Sequence, residues 1–447
     1  MTTQPAAFVL SGGGAKGAFS AGAVDYLVRT LGVQPTVLAG TSAGSICAAV
    51  LAQARGPQEW FAAAGELRDD ILRMSAPGAS FKVQPWLDAL ADTTLGEDIQ
   101  AVVQGKARPP IPVDPGLQKD PLAGVAAKGF TARRGWEDLR SLLGHAGAQH
   151  KAIKEFPGHN QSLLVLDPLA DALHGRTPGQ GPSPIDERRI ARPGLQLRIP
   201  ITALGAGCTR YVTEQGTVVD DAGQPLPGSG DPPGVIEGVL ASSSVPGVFA
   251  PRAFAGDAFV DGGVLQNIPL QAAQSVGVTS CFAILADPLA CPAPTQDYAD
   301  ADFVQVGVRA EMTVAFYGQQ QRDLQAARSL GMAVTLIDPT VTVVSSFETE
   351  PGLLSIAMDY GWLRACAVTS PGSDAAAHRA ADQIAAGRVR AWYLEAGLGG
   401  SGPDVDAALK SAKAMVAAAL EEWHGLGLAL PEGADRWSTE PELHTSA

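Results

Sequence analysis

The sequence has little that marks a metalloprotein, a disulfide-stabilised protein or a nucleic-acid-binding protein. Its five cysteines are scattered, odd in number and without CxxC spacing, and we interpret them as reduced thiols. Basic residues are in the minority, since Lys and Arg total 32 against 46 Asp and Glu, and the formal net charge is −14. A negative potential of this kind opposes broad adhesion to nucleic acid or to anionic lipid. We therefore expect no nucleic-acid partner, and we expect any membrane contact to be local and partly apolar.

The chain also lacks a recognisable targeting segment or membrane span near its beginning. Residues 1–7 contain no Lys or Arg, and the short apolar run at 6–10 leads straight into glycines. A signal peptide needs a basic start and a longer apolar stretch, and a membrane span needs about 20 apolar residues. The composition, 46% hydrophobic and 17% charged, is that of a globular protein with a substantial core. These observations favour a cytoplasmic protein, in peripheral contact with a membrane at most.

Apolar runs and glycines at the start of the chain predict two strand–turn–helix units. The run at 6–10 predicts a buried strand, and residues 18–31 carry apolar side chains every four positions, as an amphipathic helix does. A second apolar run at 36–39 is followed by Gly-Thr-Ser-Ala-Gly at 40–44 and then by an Ala-rich helical segment at 46–54. Two such units in succession predict the beginning of a parallel α/β sheet.

The rest of the chain is interrupted by a long segment of loop composition. From about residue 75 to 192 the pattern is rich in Pro and Gly, so we expect an insertion there. A long helix is expected at about 303–330, and Ala-rich helices are expected from 375 onward, broken at 397–403. Further strands are predicted at 195–204, 211–213, 259–260, 281–285 and 333–337.

The pentapeptide at 40–44 fits GxSxG, with an apolar strand before it and a helix after it. In this context the motif presents a nucleophilic serine on a strained turn, and the small residues on both sides let strand and helix approach closely. The backbone N–H of Ala43 lies at the start of the helix, where it can stabilise a developing oxyanion. The alternative is an ordinary glycine-rich strand–helix junction. The placement of the motif favours Ser42 as a nucleophile.

The glycine loop at 12–17 also fits GxGxxG and raises the alternative of an NAD-binding oxidoreductase. A Rossmann domain needs an acidic residue about 20 residues later to bind the ribose, yet no Asp or Glu occurs between Asp25 and Glu59. Three consecutive glycines instead leave backbone N–H groups free to converge on one oxygen, as an oxyanion hole requires. Lys16 either adds positive charge near that oxygen or is simply solvated.

A general base for Ser42 is not obvious among the histidines, because none lies in the first 144 residues. His378, His424 and His444 follow Asp261 in the order of a Ser-Asp-His triad. In such hydrolases, however, the serine turn normally comes after several strands, whereas here it ends the second. Asp261, at the end of a short apolar strand and before two glycines, is the better candidate if its carboxylate reaches Ser42. The alternative for this segment is an Asp-Gly hairpin turn.

Together these motifs resemble the patatin-like phospholipase family. The family pattern is a GGGxKG or GGGxRG loop, a GxSxG turn and a later DGG or DGA, in this order. They stand here at 12–17, 40–44 and 261–263, and the segment at 241–251 is similar to the family's stretch before the catalytic aspartate. The resemblance covers about residues 6–270. It implies a three-layer α/β/α sandwich with a mostly parallel central sheet.

The resemblance also implies a reaction and its residues. Ser42 would attack an acyl ester of a phospholipid, lysophospholipid or related lipid, and Asp261 would act as the only general base of a Ser-Asp dyad. No metal or cofactor is required. The expected oxyanion hole comprises Gly12, Gly13, Gly14 and Ala43, and the expected supporting residues are Ala15, Lys16, Gly17, Gly40, Thr41, Gly44, Gly262 and Gly263. A non-catalytic lipid-binding protein on the same scaffold remains the alternative.

We predict three divisions of the chain. The first is a catalytic domain at 6–275 that contains the insertion, the second a continuation of the α/β domain at 276–372, and the third a helical extension at 373–447. Within the insertion, residues 128–136 place three cations beside two aromatic side chains, a composition suited to a membrane interface. This segment is either a lipid-facing rim over the site or a solvated loop whose aromatics pack on the insertion's own small core.

Overall fold

The computed structural model describes residues 7–76, 78–85, 162–226, 230–291, 298–299, 306, 308–348, 350–371, 375–397 and 402–442. Most of the expected insertion, including the expected rim at 128–136, lies outside the described residues. No helix in the described part of the chain has the length and apolar character needed to cross a bilayer.

A mostly parallel sheet lies at the centre of the molecule. The strands are β1 (Ala7–Leu10), β2 (Val37–Gly40), β3 (Lys82–Val83), β4 (Leu164–Val165), β5 (Gln196–Ala203), β6 (Cys208–Thr213), β7 (Val218–Val219), β8 (Arg252–Phe254), β9 (Asp257–Asp261), β10 (Ser280–Ile284) and β11 (Ala333–Ile337). The order β11-β10-β1-β2-β5 is parallel throughout. Strands β6 and β9 both pair antiparallel with β5, and β3 and β4 form a separate small sheet.

Helices cover both faces of this sheet. In the described residues they are α1 (Gly17–Asp25), α2 (Ala43–Leu51), α3 (Gly56–Ser75), α4 (Asp167–Leu173), α5 (Glu187–Ile190), α6 (Val235–Ser242), α7 (Leu270–Gln274), α8 (Ala315–Ser329), α9 (Pro351–Thr369), α10 (Ala375–Glu395) and α11 (Pro403–Gly425). A π-helical turn, Tyr26–Thr30, continues α1, and another, Val308–Val314, precedes α8.

The two faces of β1 contribute to two different cores. Phe8 and Leu10 belong to a large core with α1, α2 and α9, whereas Ala7 and Val9 belong to a second core with α7 and α8. Successive side chains of a strand point to opposite faces, and strands covered on both faces are apolar throughout, as β1 and β2 are. The expected three-layer α/β/α sandwich is confirmed.

Helix α9 packs closely against α1, because a glycine of each helix faces the backbone of the other helix. A Cβ atom at Gly22 would lie 1.7 Å from the carbonyl oxygen of Met358, and one at Gly361 would lie 1.9 Å from that of Phe19. Helices α10 and α11 pack on each other and bury large side chains such as Trp392. The expected helical C-terminal region is therefore present and joined to the main core.

Candidate active site

Three segments that are far apart in sequence meet beside the carboxyl ends of β1 and β2. The glycine loop at 12–17 follows β1, and Ser42 follows β2, the neighbouring parallel strand. Asp261 ends β9, which pairs with β5 next to β2. A Cβ atom at Gly12 would lie 3.0 Å from Ser42 Cβ, so the loop touches the serine turn. The fold therefore brings together the glycine loop, the GxSxG turn and the Asp-Gly-Gly segment.

Ser42 has a strained backbone, with φ 53° and ψ −125°. Side chains hold this conformation from both directions. The Ser42 N–H donates to Ser242 Oγ at 3.0 Å, Ser242 Oγ donates in turn to the Pro200 carbonyl at 2.7 Å, and Ser45 Oγ donates to the Ser42 carbonyl at 2.6 Å. Strain of this kind costs on the order of 1–3 kcal/mol and persists only where the surroundings enforce it. It is the geometry of a serine presented at a sharp strand–helix turn.

The glycines on either side of Ser42 are required by close packing. A Cβ atom at Gly40 would lie 2.2 Å from the Gly44 carbonyl oxygen, and one at Gly44 would lie 2.4 Å from the Leu10 carbonyl oxygen. Thr41 Oγ1 donates to the carbonyl of Gln266 at 2.9 Å and joins the turn to the segment after Asp261. The GxSxG residues therefore fix the position of the serine turn relative to β1 and to the segment after Asp261.

The glycine loop presents two neighbouring backbone donors. The Gly12 N–H is occupied, because it donates to the Asn267 carbonyl at 3.3 Å, and the Ala15 N–H donates to the Ser346 carbonyl at 2.9 Å. Between them, the N–H groups of Gly13 and Gly14 have no acceptor among the residues that the structure describes. Of the expected glycine donors, these two are the ones that remain available to a ligand oxygen.

Lys16, which we considered as a solvated residue or as a charge near the oxyanion, is buried. Its Nζ lies 2.6 Å from Asp287 Oδ1. Asp287 follows β10, and an acidic residue after an apolar strand is the same signal that identified Asp261, but Asp287 was not among the predicted site residues. The solvated alternative is therefore wrong, and the charge of Lys16 is compensated within the protein.

Asp261 is completely buried and well fixed. Its Oδ1 accepts the Gly263 N–H at 2.7 Å, its N–H donates to the Ser244 carbonyl at 2.8 Å, and its carbonyl accepts Thr202 Oγ1 at 3.0 Å. Burial raises the pKa of Asp261 to about 7, although the Gly263 N–H and the Ser42 side chain beside the carboxylate each lower it. A buried carboxylate with a pKa near neutrality is suited to accept and return a proton at physiological pH.

An apolar pocket adjoins Ser42. Its wall is formed mainly by aliphatic and aromatic side chains, among them Ile46, Ile71, Phe81, Leu169, Phe249 and Leu354. Glu348 is the only charged residue among the described residues of this wall. Burial of apolar surface in such a pocket stabilises a bound hydrocarbon chain by about 0.8 kcal/mol per methylene group.

The histidines considered as alternative bases do not join the site in the described residues. His378 lies on α10, where burial lowers its pKa and where Arg364, Asp382 and Asp338 are its charged neighbours. His424 lies on α11 and is exposed, and His444 lies beyond the described residues. No described hydrogen bond or ion pair connects these side chains to Ser42 or Asp261.

A serine at a strained strand–helix turn on an α/β/α scaffold is the arrangement found in serine hydrolases. A family model for patatin-like phospholipases matches residues 8–273, more than half of the chain. The chain belongs to the patatin-like phospholipase family, and at the level of that family it is a lipid acyl hydrolase. This assignment leaves the dinucleotide-binding interpretation of the glycine loop without support.

Two solved structures are similar to the chain over most of its length. VipD from Legionella pneumophila is 14% identical, the match covering 98% of this chain and 92% of VipD, with a TM-score of 0.32. The type III effector protein ExoU is 18% identical, the match covering 97% of this chain and 73% of ExoU, with a TM-score of 0.21. No curated protein matches the chain.

Proposed function

We propose that the protein cleaves acyl esters of phospholipids, lysophospholipids or related lipids through a dyad of Ser42 and Asp261. The observation that carries this proposal is the buried Asp261, with a pKa of about 7, beside a serine held on a strained turn. The available N–H groups of Gly13 and Gly14 support it, because acyl transfer needs donors for the oxyanion.

In the proposed reaction, Asp261 is the proton acceptor and the proton donor in both half-reactions. Ser42 Oγ attacks the ester carbonyl as Asp261 takes the hydroxyl proton, and the oxyanion is stabilised by Gly13, Gly14 and Ala43 N–H groups. Asp261 then protonates the departing alcohol, which leaves an acyl group on Ser42. Asp261 next takes a proton from water as the water attacks the acyl-enzyme, and it returns that proton to Ser42 Oγ when the fatty acid departs.

The test of this function is the product spectrum from a mixed lipid extract. We expect mass spectrometry to detect free fatty acids and the matching deacylated lipids with the wild-type protein, and neither with Ser42→Ala. A fluorophosphonate probe provides the control, because it labels an activated serine whatever the lipid preference. Labelling without lipid cleavage would indicate a different ester substrate, whereas no labelling and no cleavage would support a non-catalytic lipid-binding protein.

The pH dependence of the reaction should follow the ionisation of Asp261. Only the ionised carboxylate accepts a proton, so kcat/KM should rise about tenfold per pH unit below a pH of about 7 and level off above it. Initial rates on a soluble p-nitrophenyl ester from about pH 5 to about pH 9 would measure this, with thermal unfolding at each pH as a control. A constant kcat/KM down to the acid end would contradict the assignment of Asp261 as the base.

A further inference from the structure

The glycine loop is fastened at three points. At its start, the Gly12 N–H donates to the Asn267 carbonyl, and after the two available donors the Ala15 N–H donates to the Ser346 carbonyl. The third point is the ion pair between Lys16 Nζ and Asp287 Oδ1 at 2.6 Å. The direction of the Gly13 and Gly14 N–H groups therefore depends on contacts of the loop with Asn267, Ser346 and Asp287, which are far away in the sequence.

The segment that carries Asp287 packs directly against the loop. A Cβ atom at Gly13 would lie 2.6 Å from Ala286 Cβ. The same segment is tied to the start of the loop by the Ala286 N–H, which donates to Ser11 Oγ at 2.9 Å, and by the Ile284 carbonyl, which accepts the Ser11 N–H at 3.1 Å. Asp287 is consequently held in a fixed position relative to Gly13. Its ion pair with Lys16 holds the end of the glycine loop in place.

The charges of the pair act mainly on each other. The Lys16 and Asp287 side chains are only 6% and 5% exposed, so each charge depends on the other for compensation. A carboxylate 2.6 Å from Nζ largely cancels the positive charge that Lys16 would otherwise direct at an oxyanion. The pair is therefore better suited to hold the loop than to supply charge to the reaction.

We propose that Asp287 is a positioning residue that holds the oxyanion loop through Lys16, so that the Gly13 and Gly14 N–H groups keep their direction toward the ester. This role rests on the proposed acyl hydrolase function. It adds to the site a residue outside the family match at 8–273. Because the loop stabilises the transition state and the apolar pocket binds the chain, a loosened loop lowers kcat and leaves KM nearly unchanged.

The experiment compares four variants on a soluble p-nitrophenyl ester. Asp287→Asn should lower kcat about tenfold with KM within about twofold, because the oxyanion donors are displaced rather than removed. Lys16→Arg keeps the ion pair and should retain kcat within about threefold. In Lys16→Met/Asp287→Leu an apolar pair replaces the buried charges, which should restore thermal stability while kcat stays low. Asp359→Asn removes another buried carboxylate, which pairs with Arg388 at 2.8 Å and with Arg68 at 3.1 Å, and should lower stability without changing kcat.

The outcomes separate this proposal from the proposed function. Wild-type kcat in Asp287→Asn, or recovery of kcat together with stability in the double variant, would show that the pair serves stability alone and would overturn the inference. If Asp287→Asn does not fold, the double variant decides the question. A wild-type protein that neither hydrolyses the ester nor reacts with a fluorophosphonate would overturn the proposed function and this role with it. Complete labelling of Ser42 at a reduced rate in Asp287→Asn would support the proposal, because the nucleophile remains intact.

Discussion

Ser42→Ala and Asp261→Asn should each reduce hydrolysis of a p-nitrophenyl ester by a factor on the order of 10⁴ or more, while the protein stays folded. Alanine removes the nucleophile, and asparagine keeps the shape of the carboxyl group but cannot take the proton. Because a single base serves acylation and deacylation, no second group compensates for its loss. Steady-state rates corrected for the uncatalysed reaction would measure both effects.

The pH dependence of the stability of Asp261→Asn provides a control for this prediction. Burial raises the pKa of Asp261 from an ordinary value of 3.8 to about 7. The neutral carboxyl group stabilises the fold below the unfolded pKa, and this contribution is lost as the pH rises through about 7. Asparagine does not ionise, so the melting temperature of the variant should be above that of the wild type at about pH 8 and close to it at about pH 4.

His378→Ala should keep most of the hydrolytic activity. If this variant lost its activity while its stability was preserved, the result would contradict the Ser-Asp dyad.

Gly14→Ala should lower kcat by about a hundredfold, since one misplaced oxyanion donor costs on the order of 3 kcal/mol of transition-state stabilisation. Gly14 has a φ of +60°, and a Cβ atom there would lie 2.4 Å from the Ser346 carbonyl oxygen that anchors the loop. Gly13→Ala should have a similar effect, because its Cβ would lie 2.6 Å from Ala286 Cβ. Turnover numbers, with circular dichroism of each variant, would test this.

A matched control separates backbone strain from loss of the donors. Gly32 has a φ of +70°, close to that of Gly14, but a Cβ atom there would have no neighbour within 4 Å. It lies in the connection between α1 and β2, away from the glycine loop. Gly32→Ala should therefore reduce stability and leave kcat unchanged. Near wild-type turnover in both loop variants would mean that the loop contributes packing and not catalysis.

Local motifs allowed the strands around the site to be predicted from the sequence. The runs that precede Ser42 and Asp261 form β2 and β9, because an apolar run followed by glycine indicates a strand end without reference to the rest of the fold. Helix α9 was not predicted. It is buried nearly all around its circumference, so its sequence lacks the periodic polar face by which a helix is recognised.

The residues that hold the glycine loop in place also could not be predicted from the sequence. Asn267 and Ser346 act through backbone carbonyl groups, which every residue has, so their side chains give no indication of this role. Asp287 lies 271 residues after Lys16, and only the pairing of β1 with β10 brings the two together. Catalytic roles for Ser42 and Asp261 remain predictions, to be tested by the substitutions above.

The central position of β1 limits how this protein can be divided. Strand β1 has β2 on one side and β10 on the other, although β10 begins at Ser280, after the family match ends at residue 273. A fragment cut at the expected boundary of 275 would turn β1 into an edge strand with unpaired backbone groups, a known route to aggregation. It would also lack Asp287 and Ser346. The segment that carries the family's motifs is therefore not an independent folding unit, and gene fusions or domain swaps should retain the chain through β11, Ser346 and α9, the helix that packs on α1.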